Sequence, residues 1–161
     1  MKKPAYFSKG FVFFLISVIF LWGVCAWIIV SSHKSPPACS EKYRQDKTIT
    51  TNGHKLHAQT AINSQQQETG LGVRACLGPD QAMLFIFDKP GYYPFWMKDM
   101  KFSLDIVWAS GNKQVVDIQK NIAPATYPKS FVNSKLAKYV IELRAGQADS
   151  LGIKTGTNLS F

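Results

Sequence analysis

The sequence predicts an α+β domain that is mostly β, a small barrel-like or sandwich domain with one or two short helices, preceded by one transmembrane helix. Three observations predict it. Residues 11–30 read FVFFLISVIFLWGVCAWIIV and carry no charge. Beyond them come many short apolar or alternating runs, separated by turn signals such as Asn52-Gly53, Asp88-Lys89-Pro90-Gly91 and Gly111-Asn112. Only two stretches, 64–76 and 145–151, have the composition of a helix.

The apolar run comes first. A bilayer core of roughly 30 Å needs about 20 apolar residues at 1.5 Å each. Only Ser17 interrupts the run, so every face of such a helix is apolar, unlike that of a core helix. Lys2, Lys3 and Lys9 precede it within residues 1–10, and positive flanks stay in the cytoplasm. The expected organisation is a basic cytoplasmic segment at 1–10, a signal anchor at 11–30, a linker at 31–47 and an extracytoplasmic domain at 48–161. A cleaved signal peptide would have a shorter apolar core of about 7–15 residues. The expected location is the cell membrane, single-pass, with the N-terminus inside.

Cys25 lies within the span, which leaves Cys39 and Cys76 outside. In an oxidising compartment an even pair reads as a disulfide. Closing that loop would contribute on the order of 3–4 kcal/mol. A metal site built with His54 and His57 matches no zinc spacing. Neither metal nor cofactor is expected. Past Val30 there are sixteen basic and ten acidic residues, scattered rather than clustered. That pattern fits a solvated surface better than a nucleic-acid footprint.

Along the outer region, 48–51 and 54–62 flank the Asn-Gly hairpin signal. Ser64 to Cys76 reads as a helix opened by a Ser or Asn cap, with Gly70 and Gly72 fraying it. Met83 to Phe87 is a buried strand by length, and Phe95-Trp96-Met97 starts another. Phe102, Leu104, Ile106 and Trp108 alternate with Ser103 and Asp105. Strands follow at 114–119 and 139–143, with a long Pro-punctuated loop at 121–134 between them. A short helix at 145–151 stops at Gly152.

Gly70-Leu71, Arg74, Leu77, Met83-Leu84-Phe85, Phe87, Phe95-Trp96-Met97-Lys98 and Leu104-Asp105-Ile106 together resemble the bacterial and archaeal domain of unknown function 192 family. Tyr139 to Leu143, Ala145-Gly146 and Leu151-Gly152-Ile153-Lys154 with Gly156 fit the same family. The resemblance covers roughly residues 56–161 and implies a compact β-barrel-like domain, often behind a signal or anchor. It implies no established activity.

Trp96, Lys98, Asp99, Asp105 and Glu142 are the candidate pocket residues. Strand alternation puts Trp96 and Lys98 on one face, with Phe95 and Met97 on the other. In the structural reading, Lys98 pairs with Asp99, Asp105 or Glu142 while Trp96 fills the core. In the functional reading, Trp96 stacks on a sugar or ring and Lys98 holds an anion. Asp105 in an apolar strand needs hydrogen-bond partners, which favours a structural role. No nucleophile elbow, phosphate loop or dinucleotide fingerprint occurs. The chain therefore reads as a non-catalytic envelope binding or accessory module, monomeric, whose partner is a glycan, a lipid or a protein. The alternative is a small hydrolase or lyase acting on envelope carbohydrate through Asp105 or Glu142. Thiol labelling checks the pairing: Cys39 and Cys76 should label only after reduction.

Overall fold

A computed structural model describes Cys39 and residues 42–161. The expected basic segment and anchor, and most of the linker, lie outside the described residues. Among the described residues no helix is long and apolar enough to cross a membrane.

The chain order is β1 (Lys47–Thr51), β2 (His54–Ala61), α1 (Ser64–Thr69), β3 (Gln81–Gly91), β4 (Phe95–Trp96), β5 (Leu104–Ala109), β6 (Val115–Ile122), a 3₁₀ turn (Pro124–Thr126), β7 (Ser130–Phe131), β8 (Ala137–Arg144) and α2 (Gln147–Ser150). Six strands form one sheet in the order β1-β2-β3-β8-β5-β6, and β4 pairs with β7. All pairs are antiparallel except β2 with β3, which α1 and the segment after it connect. The ladder is open, and the C-terminal tail is bonded to both of its edge strands. Thr50 and Ser160 exchange backbone hydrogen bonds of 2.8 and 3.0 Å, while Val115 N–H donates to Thr157 at 2.9 Å.

Local chemistry explains the first hairpin. Asn52 and Gly53 both have positive φ, 47° and 80°, as the tight turn requires. The Asn52 amide then donates to the Leu151 and Gly152 carbonyls, tying the turn to the end of α2. Asn63 caps α1 in a reciprocal capping box with Gln66. This helix is shorter than the sequence suggests: Gly70, at φ 49°, ends it after six residues.

Other expectations also need adjusting. The strand at 83–87 continues to Gly91 across an irregularity after Ile86, so the expected turn at 88–91 is part of β3. A proline can sit in a strand where the regular ladder is interrupted. The long loop at 121–134 contains the end of β6, the 3₁₀ turn and β7. Residues 43–46, read as linker, belong to the folded unit. The Tyr43 hydroxyl donates to Ala82 O and accepts from Gln59 N–H, and Arg44 pairs with Asp46 at 2.8 Å. Cys39 and Cys76 are joined in a disulfide, which fastens this lead-in beside the crossover.

The sheet is buried on both faces. One face packs Leu56, Leu84, Val107, Ile141 and Leu143, with Ala148 and Ile153. The other packs Met83, Phe85, Ile106, Trp108 and Val140 against Phe95 and Met97. All six positions of β5 are therefore buried. Asp105 is among them and is held by backbone donors: Oδ1 accepts from Asn121 N–H at 2.8 Å and Oδ2 from Ala148 N–H at 2.9 Å. It thereby joins β5 to the end of β6 and to the first turn of α2. Replacing it strands two backbone donors, each costing on the order of 1–3 kcal/mol. Asp105→Ala should lower the urea-unfolding free energy by about 3 kcal/mol or more, and Asp105→Asn, which keeps one acceptor oxygen, by less.

Candidate functional site

A cleft of about 300 Å³ opens on the Phe85 face of the sheet. Phe85, Phe95 and Glu142 line its interior, and Gly70 to Gly72, just after α1, form one side. Phe87 and Tyr93 also line it, their rings stacked 3.5 Å apart. The exposed Trp96 and Lys98 complete the lining together with Met100.

The short β4–β7 pair positions these groups. Phe95 faces Phe131 and Trp96 faces Ser130. Phe95 turns inward, edge-on to both Phe85 and Trp108 at 4.8 and 6.0 Å. Alternation then sends Trp96 and Lys98 outward and Met97 back into the core, as the sequence pattern predicts. The structural reading of Trp96 is overturned: the side chain is 42% exposed and does not fill the core. Lys98 is exposed and, among the described residues, makes no ion pair. Asp99 is exposed at φ 59° and is absent from the cleft lining.

The two candidate carboxylates are not neighbours. Glu142 sits opposite Met83 on one side and Ile106 on the other, while Asp105 sits opposite Leu143. Successive residues point to opposite faces, so Asp105 lies across the sheet from Glu142 and away from the cleft. The pairing of these two groups that an Asp105–Glu142 enzyme would need is absent.

Glu142 is the unusual group. Only 4% of it is exposed, and Oε2 has no hydrogen-bond partner. Burial pushes its carboxyl up to about 8. Sequence reasoning found Glu142, Trp96 and Lys98 but missed Phe87, Tyr93, Met100 and the Gly70–Gly72 segment. The Gly-x-Gly spacing after a helix was the available signal, because a bare backbone can approach a ligand closely.

The folded protein holds the Glu142 proton to higher pH than the unfolded chain, whose carboxyl titrates near 4.5. The resulting stabilisation is complete below that value and is lost as pH rises towards about 8. Unfolding free energy should fall by about 1 kcal/mol per pH unit across that window. Urea titrations at pH 5, 6.5 and 8 should show this slope in the wild type and a flatter one in Glu142→Gln.

Comparisons with known proteins place the chain in a family. No curated protein sequence matches the chain. Among solved structures, a protein of unknown function from Novosphingobium aromaticivorans is similar, with TM-score 0.70 and 26% identity, covering 80% of this chain and 94% of that one. A Sinorhizobium meliloti protein that carries the name of a transcription regulator is similar too, with TM-score 0.67 and 28% identity, covering 74% and 97%. The sequence profile of DUF192, described as Uncharacterized ACR, matches residues 47–161. That match takes in every element from β1 to the C-terminal tail, and the chain belongs to the DUF192 family.

Proposed function

We propose that this protein is a membrane-tethered, extracytoplasmic binding module whose cleft holds a ring of an envelope glycan against Trp96. The observation that carries the reading is the position of Trp96. A large aromatic side chain is left substantially exposed at a cleft that is otherwise lined mainly by apolar groups and backbone. Binding sites are typically apolar concavities with a few placed polar groups, and here Glu142 and Lys98 supply them. An exposed indole suits the apolar face of a sugar ring.

The address draws on separate support. An uncharged run of twenty residues follows three lysines at the N-terminus. The Cys39–Cys76 disulfide fits an oxidising compartment. We take the domain to act as a monomer. The transcription-regulator name of the Sinorhizobium protein is not carried over, because the basic residues here are scattered along the chain.

Glu142 alone favours the second reading, a hydrolase or lyase, since raised carboxyls often mark acid catalysts. A glycosidase needs a second carboxyl about 5–10 Å away. Asp105 is across the sheet and already bonded, and Glu68, the other carboxyl on the cleft, is exposed on α1. Binding without turnover is therefore the main reading.

Trp96→Ala should weaken binding of envelope glycan fragments roughly tenfold, the scale of losing one stacked aromatic with its buried area. The melting temperature should stay within a few degrees, because the side chain is outside the core. A large drop in melting temperature with unchanged binding would return Trp96 to a structural role. Release of reducing ends during incubation would move the protein to the enzyme reading.

A further inference from the structure

The Glu142 carboxyl bears on which glycan the cleft would take. Oε2 is enclosed and unpartnered, and buried polar atoms without partners are rare in folded proteins. Gly70 lies over it: a Cβ at Gly70 would come within 3.7 Å of Oε2. Yet the Gly70 N–H is committed to Gln66 O at 2.9 Å and gives the carboxyl nothing. Around Glu142, β3 presents Met83 and β5 presents Ile106. The titratable groups near it are Glu68, Tyr93 and Lys98, which line the same cleft, and Arg144, two residues along the same face of β8.

A protonated carboxyl in this setting is a donor awaiting an acceptor. Lys98 is a second donor on the same cleft, with no ion-pair partner among the described residues. Two donors and an exposed indole on one cleft make a defined recognition set. We propose that the cleft selects an acidic saccharide, whose carboxylate accepts hydrogen bonds from the neutral Glu142 carboxyl and the Lys98 ammonium while Trp96 covers the ring. This rests on the binding reading above and narrows it to one charge class. An ionised Glu142 would repel the same ligand, so the proton on Glu142 is part of the recognition. Hydrogen bonds from a hydroxyl donor to an anionic oxygen are short and stronger than neutral ones.

The test uses the full chain in neutral-detergent micelles, with glucuronate and its neutral counterpart glucose as probes, read by ligand-observed NMR. Glucuronate should bind at least tenfold more tightly than glucose at pH 6. Raising the pH to 9 should weaken glucuronate by up to about tenfold, because a carboxyl titrating at about 8 is then mostly ionised. Glu142→Gln keeps a donor that cannot ionise, so it should bind at pH 6 within a few-fold of wild type and lose the pH dependence. Lys98→Met, at an exposed position, should bring glucuronate down towards glucose. Equal binding of the two sugars, or wild-type binding that ignores pH, would overturn the acidic-saccharide assignment and leave the glycan-binding reading standing. Failure of both sugars to bind would remove both.

Discussion

Burial of the central strands on both faces is the constraint on which the rest of the structure depends. β5 and β8 lie inside the six-stranded sheet, and every side chain on β5 must enter one of two packed layers. A polar residue on either strand is therefore committed to a protein interior. The two interior carboxyls meet that demand in opposite ways. Asp105 enters the layer beneath α2, where two backbone N–H groups converge on it. Glu142 enters the layer beneath the cleft, where no such donor meets Oε2. One carboxyl is used to hold the fold, and the other keeps its hydrogen-bonding capacity unspent.

Much of the fold was legible because its signals are local. Asn52-Gly53 specifies its own turn through two positive φ angles, whatever surrounds it. Apolar runs marked β3 and β8, because strands buried on both sides lose their alternation, whereas β5 was read from alternation although both of its faces are buried. The missed elements depend on partners distant in sequence. β7 is two residues long and exists because Phe131 meets Phe95, thirty-six positions earlier. The extension of β3 through Pro90 depends on a break in its pairing with β8, which no local pattern announces.

The candidate site divides along the same line. Alternation within Phe95-Trp96-Met97-Lys98 put Trp96 and Lys98 together, and the structure agrees. Whether that shared face points to solvent or to the core is decided by β7 and by the Gly70–Gly72 segment, so Trp96 was open to either reading. The separation of Asp105 from Glu142 follows from strand register, where a shift of one residue exchanges the faces. Sequence alone lists both carboxyls without assigning either to a side.

The segment at 156–160 has a consequence for the two edges of the sheet. Ser160 pairs with β1 and Thr157 with β6, so each outer strand obtains a second neighbour from one short segment far from it in sequence. Without that segment in place, β1 and β6 would present bare amides and carbonyls, groups that invite pairing with another chain. Residues 156–160 thus shield both edges of the sheet from pairing with a second chain.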